Sequence, residues 1–157
     1  MKNVVKKYMV AKTYSEFAQR YNMMIGVLLC ALSTSILFLI LPFFDGLIFL
    51  ADIYLIVGCG IGLIFTFKYR KKSQAHVKTG IIVGFTGSVL ALLFIGIFDW
   101  IVYSLYFGFD FILLLQYLLL LFAYYGIMYV LVGIILGYVS GNYYKKKENI
   151  DKKSPLF

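Results

Sequence analysis

Four long runs of apolar residues, separated by short polar breaks, dominate the pattern of the chain. The runs cover residues 21–44, 47–67, 79–103 and 111–139. A helix needs roughly 20 apolar residues to cross the hydrocarbon core of a bilayer, and each run is long enough. None shows the two-residue alternation of a membrane barrel strand. Because backbone polar groups in lipid must be satisfied within the segment, the pattern predicts an all-α integral membrane four-helix bundle, with residues 1–157 as one transmembrane domain.

Polar residues suited to helix capping stand at three of the predicted boundaries. Residues 13–16, Thr-Tyr-Ser-Glu, have the spacing of a capping box and predict that the first helix begins at Thr13. Asp45 and Asp110 each precede an apolar run and are expected N-caps. Residues 41–46 contain a proline and a glycine, which predict a tight turn between the first two helices.

The composition agrees with a membrane protein. The chain is 62% hydrophobic and 14% charged, whereas soluble domains average about 45–50% apolar and about 25% charged residues. A water-soluble monomer of this size could not bury so much apolar surface. The composition therefore excludes an ordinary soluble enzyme, a disordered chain and a disulfide-stapled secreted module.

The basic residues are segregated from the apolar runs. Residues 1–20 carry a net charge of +4, the loop 68–78 carries +5, and the tail 143–157 carries +3, and these segments hold all 15 basic residues. Short basic loops stay on the cytoplasmic side. The pattern therefore predicts a multi-pass protein of the cell membrane with both termini cytoplasmic, residues 1–20 forming a basic leader. We expect the basic segments to contact anionic lipid headgroups of the bilayer, and we expect no nucleic-acid partner.

Small residues recur on single faces of the apolar runs. The glycines with this spacing are Gly58 and Gly62 in the second run, Gly80, Gly84 and Gly87 in the third, and Gly126, Gly133, Gly137 and Gly141 in the fourth. Gln116 and Ala123 fall on the glycine side of the fourth run. Small residues let helix backbones approach closely in lipid, so we predict that these faces are helix-packing sites. The partner is expected within the chain, with another membrane protein or a second copy as the alternative.

A faint repeat relates the second and fourth runs. Five residues recur with numbers higher by 75: Tyr54, Val57, Gly58, Gly62 and Tyr69 become Tyr129, Val132, Gly133, Gly137 and Tyr144. The first and third runs do not match convincingly. We interpret the repeat as a shared topological constraint rather than a duplicated hairpin, since glycine faces and basic stops occur in many membrane helices.

Two carboxylates are the candidate ion or proton site. Asp52 lies about six positions into the second run, roughly 9 Å along the helix from its end, and Asp99 lies at a similar depth in the third. A carboxylate inside a membrane is costly and is a functional candidate for that reason. Two of them facing one cavity would share a proton or bind a cation. The alternative is that both are hydrated in the headgroup zone.

Other reactive side chains point to no chemistry. Cys30 and Cys59 lack a C-x-x-C spacing and are interpreted as small buried hydrophobic residues. His76 has no second histidine or cysteine at metal-ligand spacing. We therefore expect no catalytic residues, no cofactor and no metal, and we do not expect an enzyme.

Two functional hypotheses follow. The first is a non-enzymatic accessory or assembly subunit, or a self-associating helical bundle. The alternative is a small proton- or cation-coupled transporter or channel that uses Asp52 and Asp99. A protein that protects its own membrane is compatible with the same features, but no residue supports it.

Overall fold

The structure, a computed structural model, describes the backbone of residues 2–40, 48–70 and 75–153 and the side chains of 16–40, 53–70 and 75–150. Within these ranges the chain forms helices and no strand. The helices are α1 (Lys2–Ile40), α2 (Ile48–Lys68), α3 (His76–Phe107), α4 (Phe111–Leu121) and α5 (Ile127–Lys153), and a π-turn (Phe122–Gly126) joins α4 to α5. The predicted all-α fold is confirmed for this part of the chain.

Three described segments are long and apolar enough to cross a membrane. They are Glu16–Ile40, His76–Phe107 and Phe111–Ile150. A shorter apolar helix, Ile53–Lys68, accompanies them. These segments identify a multi-pass membrane protein.

The first helix begins earlier than predicted. α1 is helical from Lys2, so the predicted start at Thr13 is wrong. Residues 2–12 contain neither glycine nor proline, and nothing in them stops a helix from continuing through the capping-box sequence. α1 departs from helical geometry at Tyr21 instead (φ −113°, ψ 16°), where the basic segment 2–20 meets the apolar run.

The predicted cap of the fourth run is confirmed. The backbone N–H of Ile112 donates a 2.8 Å hydrogen bond to Oδ1 of Asp110, the N-cap of α4. The turn before it uses Gly108 at φ +93°, a conformation that L side chains adopt only with strain. Asp45 lies outside the described residues.

The fourth run is not one continuous α-helix. The π-turn places an extra residue between α4 and α5, and α5 continues into the basic tail as far as Lys153. One extra residue rotates the faces on either side of it by about 100° relative to each other. Gln116 and Ala123 are therefore exposed, and the prediction that they share the glycine face is wrong.

The helices pack as two hairpins, α1 with α2 and α3 with α5. In the first hairpin, a Cβ built on Gly62 would lie 2.3 Å from the carbonyl oxygen of Gly26. In the second, a Cβ built on Gly137 would lie 2.2 Å from the carbonyl oxygen of Gly80. Backbone therefore touches backbone in both. α1 also packs against α3, where a Cβ on Gly87 would lie 2.6 Å from Sγ of Cys30.

The two hairpins have the same register. The matching contacts are Gly26–Gly62 with Gly80–Gly137 and Thr34–Gly58 with Ser88–Gly133. Between α2 and α5 the residue numbers differ by 75, as in the sequence repeat, but between α1 and α3 they differ by 54. A comparison at one offset therefore misses the first helix of each pair. The structure favours a repeated hairpin over the interpretation drawn from the sequence, and both copies run in the same direction.

The second hairpin is longer than the described part of the first. α1 continues for 14 residues beyond Gly26, whereas α3 continues for 27 residues beyond Gly80. The difference is roughly 20 Å of helix. α4 belongs to this extension, and none of its residues is buried. We call this end of the molecule, around residues 99–117, the aromatic end, and the opposite end, around residues 66–78, the basic end.

Candidate functional site

The aromatic end contains a cavity of about 570 Å³ between α3 and α4. One carboxylate and several aromatic rings line it: Asp99, Trp100, Tyr103, Tyr106, Phe107 and Tyr117. α3 supplies most of the wall, and Tyr117 of α4 closes the opposite side. Its size is in the range of sites for small organic molecules.

Asp99 is fixed by a hydrogen bond across the cavity. The hydroxyl of Tyr117 donates to Oδ2 of Asp99 at 2.9 Å, which links α3 to α4. The turn between these helices brings the two residues together although they are 18 positions apart. Asp99 is only partly buried, so the carboxylate stays within reach of a solute.

The wall beside Asp99 is held from behind. Nε1 of Trp100 donates a 2.9 Å hydrogen bond to the carbonyl oxygen of Asp110, and its ring meets Phe109 edge-on at 4.4 Å between centroids. The rings of Tyr103 and Phe107 stack at 4.6 Å. These contacts fix the orientation of the rings.

The proposed partner of Asp99 is not placed. The backbone of Asp52 belongs to α2, but its side chain lies outside the described residues. The shared site of Asp52 and Asp99 therefore stays a prediction.

A charged cluster at the basic end joins the two hairpins. Nη2 of Arg70 lies 2.5 Å from Oε2 of Glu148, and Nε2 of His76 lies 2.8 Å from the same oxygen. The Arg70 side chain is only 8% exposed, and that of Glu148 is 32% exposed. Phe67 stacks on Tyr144 at 4.6 Å beside them. The residues after α2, at the start of α3 and in α5 thereby meet.

The sequence did not indicate this cluster. Arg70 and His76 stand in a strongly basic loop and Glu148 in a basic tail, so each looked like part of a charged segment facing lipid headgroups. The pair is separated by 78 positions, and no local pattern connects them. The available signal was topological: a helix hairpin places both segments at the same end.

The buried polar side chains of the first hairpin bond to backbone across the helix contact. Nδ2 of Asn22 donates to the carbonyl oxygen of Thr66 at 3.2 Å, and Oγ of Ser33 donates to that of Gly58 at 3.2 Å. Such bonds hold helices together in lipid. These residues are accounted for by packing and offer no reactive group.

The glycines differ in what they face. Gly58 and Gly62 face α1; Gly80, Gly84, Gly133, Gly137 and Gly141 lie in the contact of α3 with α5; Gly87 faces α1. Gly126 lies inside the π-turn, and a Cβ there would meet Phe122, at 3.3 Å. Most of the predicted glycines therefore lie where helix backbones meet, and the one in the π-turn does not.

The two cysteines lie together in the core. Cys30 and Cys59 are free thiols with no exposed surface, and their side chains are within hydrogen-bonding contact. They pack among Ala31, Leu55 and Leu92. Within the described ranges, no three His, Cys, Asp or Glu side chains converge as metal ligands would.

No known protein family, curated protein or solved structure matches this chain.

Proposed function

We propose that this chain is a non-enzymatic four-span protein of the cell membrane that associates with copies of itself through the outward face of α4. The observation that carries the proposal is a helix segment with no buried residue, which presents the amide of Gln116 and the small side chain of Ala123 away from its own chain. A role as an accessory or assembly subunit is the form this takes if the partner is a different protein.

The membrane topology is part of the proposal. The spans are 21–44, 47–67, 79–103 and 111–139, with both termini cytoplasmic. The Arg70–Glu148 contact supports this topology, because it brings the basic loop and the basic tail to one end of the molecule. The positive-inside preference assigns that end to the cytoplasm.

Labelling with a membrane-impermeant maleimide on intact cells tests the orientation. Cys30 and Cys59 are buried, so the wild-type chain should give little background. Leu105→Cys is 79% exposed in the wild-type position and should react from outside. Lys146→Cys, also at an exposed position, should react only after permeabilisation. Reaction of Lys146→Cys in intact cells would overturn the orientation.

The outward face of α4 is distinct from the face that packs on α3. Leu113, Tyr117 and Leu118 face α3, where they line the cavity or approach Gly96. Ile112 and Leu119 lie on the opposite side, with Gln116 and Ala123, by the 100° step of a helix. The π-turn produces this arrangement by rotating α4 relative to α5.

A second copy is the partner that this face suits best. An amide both donates and accepts hydrogen bonds, so two Gln116 side chains satisfy each other across a two-fold axis. Ala123, about two turns away, allows close approach of the two helices. The longer second hairpin leaves this surface clear of α1 and α2.

Disulfide crosslinking in native membranes tests the self-association. Leu119→Cys, 69% exposed on the outward face, should give a dimer on mild oxidation. Ile64→Cys, 59% exposed on α2, is the matched control and should not. Adding Gln116→Leu should lower the dimer yield about threefold, since interhelical hydrogen bonds in lipid average about 0.6 kcal/mol. Crosslinks to another protein alone would replace self-association with an accessory role; no crosslink at all would overturn both.

The second candidate function is a small proton- or cation-coupled transporter or channel using Asp52 and Asp99. The position of Asp99 in a cavity at the aromatic end favours it. The other half of the molecule opposes it, since the contacts of Gly80 with Gly137 and Gly84 with Gly133 close the space between α3 and α5. A transport cycle would have to separate these backbones.

A further inference from the structure

The cavity at the aromatic end combines one negative charge with faces of aromatic rings. Asp99 contributes the carboxylate, and Trp100, Tyr103, Phe107 and Tyr117 are among the rings that line the same space. Ring faces carry partial negative charge and attract cations, best of all when the cation has little water to lose. Both parts of the lining therefore favour a positively charged organic group.

The chemistry of the walls selects among cations. A small inorganic cation such as Ca²⁺ requires about six to eight oxygen ligands, and Mg²⁺ keeps a shell of water. The cavity offers one carboxylate and tyrosine hydroxyls, of which that of Tyr117 donates its proton to Asp99. A quaternary ammonium group needs no oxygen ligands, and its methyl groups pack directly on aromatic rings.

The site is also built in advance. Trp100 is anchored to the backbone of Asp110, Tyr103 stacks on Phe107, and Tyr117 orients Asp99. Rings and carboxylate that are already fixed lose little conformational freedom when a ligand enters. From this geometry we infer that the cavity is a binding site for a quaternary ammonium group, carried either by a soluble cation or by the headgroup of a lipid. The site lies on the α3 side of α4 and does not depend on the proposed self-association.

The only tryptophan of the chain, Trp100, lies in the wall of the cavity and reports its occupancy by fluorescence. The probes are choline and dimethylbutanol, the neutral isostere in which carbon replaces the nitrogen. In the purified full chain, choline should shift Trp100 fluorescence saturably. Dimethylbutanol should bind about tenfold more weakly, and sodium chloride at equal ionic strength should have no effect. Equal binding of choline and dimethylbutanol would overturn the inference.

Two substitutions separate charge from aromatic contact. Asp99→Asn keeps an oxygen that accepts from Tyr117 but removes the charge, and should weaken choline binding about tenfold without changing the binding of dimethylbutanol. Tyr103→Leu removes a ring face and should weaken choline binding about fivefold. Tyr103→Phe keeps the face and should bind like the wild type. If Asp99→Asn does not fold, the Tyr103 pair decides. Unchanged choline binding in the folded variants would overturn the site.

The source of the ammonium group is determined in bilayers of defined composition. In phosphatidylglycerol bilayers, choline should shift Trp100 fluorescence as in detergent. If added phosphatidylcholine abolishes the response, the lipid headgroup occupies the site. If the response persists, the site takes a soluble cation. Absence of any choline response in phosphatidylglycerol bilayers would overturn the site in the membrane.

Discussion

Gly137→Ala is expected to lower the free energy of unfolding by about 2–3 kcal/mol, the cost of forcing an extra methyl group into a filled contact. A Cβ at this position would lie 2.2 Å from the carbonyl oxygen of Gly80 and 3.0 Å from Cα of Ile81. These atoms belong to the backbone of α3, so no side chain can rotate away. The two helices of the second hairpin would have to move apart along their whole contact. Thermal unfolding in detergent, followed by circular dichroism, measures the loss.

Gly60→Ala is the matched control for this substitution. Gly60 is also helical, but a Cβ there meets nothing within 4 Å. Alanine is favoured over glycine in a helix by up to about 1 kcal/mol, so Gly60→Ala should leave stability unchanged or raise it. Gly108 would be a poor control, because its φ of +93° strains any side chain. Equal melting of Gly137→Ala and Gly60→Ala would contradict the close contact of α3 with α5.

Glu148→Gln is expected to destabilise the protein by about 2 kcal/mol. The substitution removes the negative charge that lies 2.5 Å from Arg70 and 2.8 Å from His76. The Arg70 side chain is almost fully buried, so a lost charge partner is costly there. Because the three residues connect the end of α2 to α3 and α5, the loss should loosen the basic end. The measurement is again thermal unfolding in detergent.

A double-mutant cycle separates the ion pair from other effects of the substitution. Arg70→Gln, Glu148→Gln and the double variant should show a coupling of at least 0.5 kcal/mol, as expected for residues in direct contact. Glu16→Gln, at an exposed position on α1, is the control and should change little. Strictly additive effects of the two substitutions would show that the pair does not stabilise the fold.

Local patterns in the sequence predicted much of the fold. Helix positions follow from the length of the apolar runs, and the cap at Asp110 follows from one residue type before an apolar run. The glycine periodicity in α3 and α5 also pointed to close backbone approach. These predictions succeed because each depends on residues within a few turns of one another.

Features set by a single backbone defect or by distant contacts were not predictable in this way. The π-turn has no distinctive sequence, yet it decides whether Gln116 faces the chain or the lipid. The continuation of α1 before Thr13 depends on the absence of a stop signal. Arg70 and Glu148 find each other only through the packing of the two hairpins. The cavity at Asp99 likewise requires the turn at Gly108 that sets α4 against α3.

The equal register of the two hairpins bears on how the protein is made. Each hairpin joins neighbouring helices of the chain, and its closest backbone contacts form between its own two members. Synthesis delivers the N-terminal half first, so α1 and α2 complete their glycine contacts before α5 leaves the ribosome. The second hairpin repeats the same step in the bilayer. Only then do α1 with α3, and Arg70 with Glu148, have to meet. The order of translation thus matches the order of packing, and no helix has to wait in lipid for a distant partner before its tightest contact can form.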